Sequence, residues 1–344
     1  MESMIIAKII MIAYAVLIFC LLIFVHELGH FITAKAVGIK VNEFALGMGP
    51  ALIHFKKGET EYSLRAFPIG GYCKMEGEDE DSDDASAFNN KSLPAKALVV
   101  VAGSAMNLLL AILLTAIVIL SIGIPNTTIK TLSPDLPAVK AGLLQGDKIV
   151  QIENKPTKTW DDVIGNIADS KGKPLNVVVE RNEKQLTFTV DTTKSEDGRW
   201  IIGITSERDK NPGKALVYAT QNVFDVGKQM FVFIGKMITG EESAKNLTGP
   251  VGIVYMVGKT AEMGILTVAQ FTAFISLNLA IVNMLPFPAL DGGRLLFMII
   301  RLFTGKVISD ETEGKIHFVG LMLLFGLMIY ITFQDIINRP WLNL

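Results

Sequence analysis

Residues 9–30 read IIMIAYAVLIFCLLIFVHELGH, and this stretch decides the class of the chain. From Ile9 to Val25 no residue is charged, and the run extends back through Lys8 to Met4. A helix that crosses a bilayer needs about 20 predominantly apolar residues. A secretory leader would be followed by a small-residue cleavage site. Here His26-Glu27-Leu28-Gly29-His30 follows instead, so the segment reads as a retained helix. Working outward, residues 97–120 and 264–290 carry no charge, and 316–333 form a shorter fourth run. Residues 213–238 are also apolar-rich but contain Asp225 and Lys228. Each charge at a bilayer centre costs about 2.5–3.5 kcal/mol, so an amphipathic helix in the interface is the expectation there.

The whole composition agrees. Of 344 residues 50% are hydrophobic and 19% charged, against roughly 25% charged in soluble domains. Mean hydropathy is +0.42. The net charge, 32 − 34 = −2, excludes a nucleic-acid binder, which needs a basic surface. Cys20 and Cys73 make no disulfide framework, and neither sits in a CxxC pair.

Basic residues orient the spans. Lys35, Lys40, Lys56, Lys57, Arg65, Lys74, Lys91 and Lys96 lie between the first two, and Arg294, Arg301, Lys306 and Lys315 between the last two. The C-terminal tail has Arg339 alone. Both loops are expected in the cytoplasm, with the termini and the long insertion outside. The acidic cluster from Glu76 to Asp84 reads as a solvated loop.

Residues 126–206 differ from their surroundings. Charges return, and short alternating runs appear at 148–152, 175–179 and 186–190, with a helical turn or two at 161–167. Turn signals at Gly146-Asp147 and Asn182-Glu183 complete the pattern of a small, partly open β-barrel capped by a helix. The string PAVKAGLLQGDKIVQIENKPTKTWDDV, residues 137–163, resembles a PDZ domain of the bacterial-protease type. Such domains bind extended peptides by adding a strand to a sheet edge. The rival reading is a rigid spacer.

Chemistry concentrates in HELGH. The chain has four histidines, and two fall in this H-E-x-x-H pattern. On a helix, positions i and i+4 share a face, so His26 and His30 can reach one metal ion. Glu27, one step round, can hold a water and take its proton. Ionisable groups inside a membrane point to function by default. Catalytic zinc commonly has three protein ligands and an open position. The third could be His54, His317 or Asp291. Asp291 is favoured because NMLPFPALDGG, residues 283–293, cannot continue as regular helix past Pro286 and Pro288. Broken backbone at membrane depth is tolerated where it is buried in protein or lines a wet cavity.

HELGH, NMLPFPALDGG and the PDZ-like insertion, in this order, resemble the site-2 protease family of intramembrane zinc metalloproteases, in its bacterial RseP/RasP-like branch with a single PDZ domain. FALGMGP (44–50), GSAMN (103–107) and LTGPVGI (247–253) extend the resemblance over nearly the whole chain. It implies Zn2+ held by His26, His30 and Asp291, Glu27 as the catalytic base, and Asn283, Pro286 and Pro288 beside the substrate backbone. It also implies a β-hairpin element at 41–74 that dips into the membrane. Ser104 departs from the proline common in the family, which leaves the role of Asn107 open.

The expected architecture is a polytopic α-helical membrane protein with four transmembrane helices, an inserted extracytoplasmic PDZ-like β-barrel domain and a membrane-associated β-hairpin. Residues 1–125 would form the protease core, 126–206 the PDZ-like domain, and 207–344 an interfacial helix with spans three and four. The location implied is the bacterial inner membrane, with the active site toward the cytoplasm. The substrates implied are single-span membrane proteins such as pre-cut anti-sigma factors or remnant signal peptides. The alternative is a noncatalytic zinc-binding membrane chaperone or transporter that uses the PDZ domain for peptide binding. A transporter should show a repeat of spans, and none is found; a chaperone would not need Glu27.

Overall fold

The computed structural model describes residues 2–78, 82–243, 247–304 and 310–338. Lys306, Arg339 and the centre of the acidic cluster (79–81) lie outside the described residues. By its internal contacts the chain divides into two units, residues 1–118 with 219–344, and residues 119–218.

In the first unit, α1 (Glu2–Ala36) carries the apolar run into HELGH without a break. Four helices among the described residues are long and apolar enough to cross a membrane: 9–36 of α1, α2 (Leu93–Ile122), α7 (Ile265–Asn283) and 311–337 of α9 (Asp310–Asn338). At 1.5 Å per residue, the 28 residues of the first window span about 42 Å, more than the roughly 30 Å of hydrocarbon. The third, at 19 residues, spans about 28 Å and is barely sufficient. Its apolar run continues to Leu290, but the helix stops at Asn283. The reason is local: Pro286 and Pro288 lack the N–H groups that a further turn would need. The chain then turns through a short arm, with Ala289 at φ +76°, and re-enters helix as α8 (Asp291–Thr304).

Between α1 and α2, β1 (Val41–Lys57) and β2 (Thr60–Met75) pair antiparallel and bend back on themselves. Residues 43–46 pair on one side with 61–64 and on the other with 71–74. The segment 71–74 is thereby an edge among the described residues.

α5 (Pro212–Thr239) contributes its later part to this unit. α6 (Pro250–Glu262) begins at LTGPVGI, and the reason for that motif lies 83 residues downstream. Asp335 of α9, fully buried, accepts the Gly252 N–H at 2.8 Å at the start of α6. A Cβ on Gly249 would sit 2.8 Å from the same carboxylate. A carboxylate at a helix N-terminus is stabilised by the unpaired N–H groups there.

The second unit has a conventional core. Its main sheet runs in the order β10 (Ile204–Asp209), β3 (Ile124–Leu132), β4 (Lys148–Ile152), β6 (Leu175–Arg181), β7 (Lys184–Val190), with β5 (Lys155–Pro156) beside β4. β8 (Thr193–Lys194) and β9 (Trp200–Ile201) form a separate ribbon, and α3 (Pro137–Lys140) is a single turn. The expected barrel is corrected here: β10 and β7 stay at opposite ends, so the sheet is not closed. The core is covered by α4 (Trp160–Asp169) in place of strand closure. Val163 and Ile167, one turn apart on α4, pack with Ile149, Ile152, Val177 and Val179. Thr159 caps α4 through the Asp162 N–H, and Asp162 returns the bond to the Thr159 N–H. Backbone donors at Thr159 and Lys158 hold the Asp162 carboxyl below its ordinary value.

Candidate metal centre

His26 and His30 lie one turn apart on α1 with their rings 4.8 Å apart and nearly perpendicular. Both are buried, at 8% exposed. Their Nε2 atoms approach to 3.2 Å. Asp291, the first residue of α8, brings Oδ2 to 3.2 Å from His26 Nε2 and 3.5 Å from His30 Nε2. Among the described residues these three form the one cluster able to hold a metal ion.

What surrounds the imidazoles sets their protonation. His30 Nδ1 lies 2.8 Å from the Val99 carbonyl. A carbonyl only accepts, so the proton sits on Nδ1, and the Nε2 lone pair faces the cluster. His26 Nδ1 meets the Asn107 amide at 3.2 Å. The Asn107 oxygen is buried without a partner. Turning this amide over would place that oxygen against a His26 Nδ1–H and free Nε2 in the same way. Asn107 is fully buried, and its carbonyl accepts from Ser276 of α7 at 2.7 Å.

GSAMN thus acquires a meaning that spacing alone did not give. A Cβ on Gly103 would fall 2.3 Å from His30 Nε2 and 2.7 Å from His26 Cε1. Only hydrogen fits there, so Gly103 lets α2 approach both imidazoles while Asn107, one turn on, meets His26. Gly29 plays the reciprocal part on α1, where a Cβ would lie 2.4 Å from the Ala102 carbonyl. Gly292 and Gly293 let the 284–288 arm fold onto the start of α8; their added Cβ atoms would fall 2.3 Å from the Leu285 and Phe287 carbonyls.

The donor set tests whether a cation fits. Two Nε2 lone pairs and a carboxylate oxygen converge, and that buried oxygen, Asp291 Oδ2, has no hydrogen-bond partner. Three acceptors facing one point repel unless a cation lies between them. Nitrogen and carboxylate donors, three in number, suit zinc with an open position.

A cavity of about 690 Å³ opens on the cluster, lined by Glu27, Tyr72, Glu78, Asp291 and Arg294 among others. Glu78 and Arg294 form an ion pair at its wall. A second hollow of about 260 Å³ is shared by Glu27, Gly71, Asn283 and Asp291. Asn283 places its amide nitrogen 3.4 Å from His26 Nε2.

The other expected residues fall elsewhere. Pro288 lines a different hollow, of about 320 Å³, with Ile316 and Gly320 of α9. Pro286 lies in the arm after α7 and lines none of these three hollows. His54 is exposed on β1 and pairs with Glu61 at 3.0 Å. His317 receives the Ala289 N–H on Nδ1 at 2.8 Å. Gly103 and Val99 are site residues that spacing does not reveal: Gly103 lies in GSAMN, and a backbone carbonyl leaves no mark in sequence.

Comparison with known proteins identifies the family. Peptidase family M50 matches residues 14–327. A Clostridium acetobutylicum protein, named provisionally as a zinc metalloprotease, is 41% identical over 330 residues, covering 95% of this chain and 97% of its own. Zinc metalloprotease RasP of Geobacillus kaustophilus is 31% identical over 405 residues, covering 93% and 96%. Regulator of sigma-W protease RasP of Bacillus subtilis is 31% identical over 408, covering 93% and 97%. Among solved structures, the PDZ domain of an SdrC-like protein from Listeria monocytogenes matches at 23% identity and TM-score 0.22, covering 24% of this chain and 87% of that one. The chain is an integral membrane protein and belongs to peptidase family M50, the site-2 proteases.

Proposed function

We propose that the protein is an intramembrane zinc metalloprotease that hydrolyses a peptide bond in or near the transmembrane segment of single-span membrane proteins. The observation that carries this is the convergence of His26 Nε2, His30 Nε2 and Asp291 Oδ2, with the last orphaned, beside Glu27. These three would hold the zinc. Bound there, the ion supplies Lewis acidity toward a water and a peptide carbonyl.

The chain's own groups do the remaining work. Glu27 takes the water proton and returns it to the leaving amine. The Asn283 amide, at the rim shared with Glu27, donates to the carbonyl oxygen as charge develops. A substrate helix hides its carbonyls in hydrogen bonds and must unwind before attack. The edge 71–74, which borders the same cavity, offers backbone partners to the freed strand. Pro286 and Pro288 end α7 and shape the arm that carries Asp291; their contact with substrate rests on the sequence resemblance alone.

The same reading places the protein in the bacterial inner membrane, with the metal centre toward the cytoplasm and residues 126–206 outside, on the strength of the Lys/Arg distribution. The insertion would act as a PDZ domain that holds peptide ends and filters substrates by size. Pre-cut anti-sigma factors and remnant signal peptides are the proposed substrates; one relative is named a regulator of sigma-W protease.

The test is metal analysis and cleavage of a panel of single-span substrates, with and without chelator, for wild type and Asp291→Ala. The expected outcome is zinc and cleavage in wild type and neither in the variant. Full zinc content in Asp291→Ala would contradict the ligand assignment.

A further inference from the structure

Two of the three metal donors sit inside a continuous helix, but the third hangs on a proline-broken arm. His26 and His30 are held by α1 itself, whereas Asp291 begins α8 after residues 284–290. Something must fix that arm, since a carboxylate displaced by 1 Å no longer meets the two imidazoles.

The arm is gripped from α9. A Cβ on Gly320 would fall 2.5 Å from Pro288 Cβ and 2.6 Å from the Pro288 carbonyl, so α9 lies directly on the arm's backbone. One turn earlier, His317 Nδ1 accepts the Ala289 N–H at 2.8 Å. Ala289 holds φ at +76°, a region that residues bearing a Cβ avoid. Because Nδ1 accepts, its proton resides on Nε2. That nitrogen makes no hydrogen bond and lies 3.8 Å from Glu313 Oε1. Glu313 in turn pairs with Arg301 of α8, and the Phe297 ring of α8 lies 5.5 Å from the imidazole.

We propose that His317 is a positioning residue for the metal centre: its Nδ1 locks Ala289 in the left-handed conformation that aims Asp291 at His26 and His30. This rests on the ligand assignment above and deepens it. His317 is 26 residues beyond Asp291 in sequence and, among the described residues, makes no hydrogen bond or ion pair to His26, His30 or Asp291. It acts through one backbone hydrogen bond.

The side-chain acceptor can be tested by moving it. An asparagine places its oxygen near the position of Nδ1, whereas a glutamine places it near Nε2. Glutamine is closer to histidine in size, so a role in packing alone would rank the variants the opposite way. The probe is zinc itself, titrated against a chelator on purified full-length protein, with the spectrum of the cobalt-substituted protein as a readout of ligand geometry. Variants are compared at equal helical content. His317→Asn should keep the zinc Kd within about 3-fold of wild type, and His317→Gln and His317→Leu should weaken it about 10–100-fold, with an altered cobalt spectrum.

The proposal is overturned if all three variants bind as wild type does, if all three weaken equally, or if glutamine is tolerated and asparagine is not. A wild-type protein without zinc affinity would instead overturn the ligand assignment, and the positioning role with it.

Discussion

The two units differ in the polar groups they bury and in the apolar surface they leave exposed. In residues 119–218 the core is hydrocarbon: Ile149, Ile152, Val163, Val177, Val179 and Val190 are all fully buried. In the helical unit, His26, His30, Asn107, Ser276 and Asp335 are buried, while Leu17, Leu113, Ile329 and Phe333 face outward. Only 6% of the last span's window is buried. A soluble protein rarely exposes apolar patches of this extent; hydrocarbon lipid is the solvent that suits them. Residues 119–218 gain their order chiefly from burying carbon, whereas the helical unit adds to its apolar clusters polar groups and close backbone contacts that lipid cannot replace.

Glycine substitution should break the two units in opposite directions. Gly103→Ala puts a methyl 2.3 Å from His30 Nε2. It should weaken zinc binding by at least about 100-fold, read by chelator competition, and leave the fluorescence of residues 119–218 unchanged. Trp160 and Trp200 report that unit, since both pack on its core.

A smaller effect belongs to the one buried charge in the core of residues 119–218. Asp147 is 1% exposed and receives Arg181 through both carboxylate oxygens, at 2.6 and 2.7 Å, with the Leu144 N–H at 2.9 Å. Burial pushes the Asp147 carboxyl up, and Arg181 with the Leu144 donor brings it below its ordinary value of 3.8. A lowered pKa gives stability that is present in full above the unfolded value and is lost as pH falls toward and through the folded one. Residues 119–218 should therefore lose stability progressively as pH falls below about 4. Asp147→Asn should cost about 1–3 kcal/mol at neutral pH and flatten that acid dependence. Equal acid sensitivity in both proteins would count against this role.

The smallest effect is a gain. Gly165 lies inside α4 with nothing within 4 Å of an added Cβ. Gly165→Ala should stabilise residues 119–218 by about 0.4–1 kcal/mol, read as a raised unfolding midpoint, with zinc affinity unchanged. Loss of stability would show a contact that the helix does not display.

How far the sequence could be read follows the same division. The spans, HELGH and Asp291 were legible because apolar length and i, i+4 spacing are local signals. The strands at 148–152, 175–181 and 184–190 were legible through alternation. The break before Asp291 is legible in Pro286 and Pro288, while the apolar composition, which runs on to Leu290, does not mark that α7 already ends at Asn283. β10 and β3, which pair across more than 70 residues, and the open sheet they begin carry no short-range signature. Neither do the Asp335 bond to Gly252 or the His317 bond to Ala289, each made across a gap no motif records. Gly103 stands within GSAMN, but its purpose appears only when α2 meets α1.

Glu27→Gln tests the central claim most directly. The amide keeps the size of the carboxylate and leaves His26, His30 and Asp291 in place, but it cannot take a proton. Measured side by side on one membrane preparation, zinc content should equal that of wild type, while cleavage of a single-span substrate falls about 10²–10⁴-fold. Cleavage near the wild-type rate in a zinc-loaded Glu27→Gln protein would contradict the account.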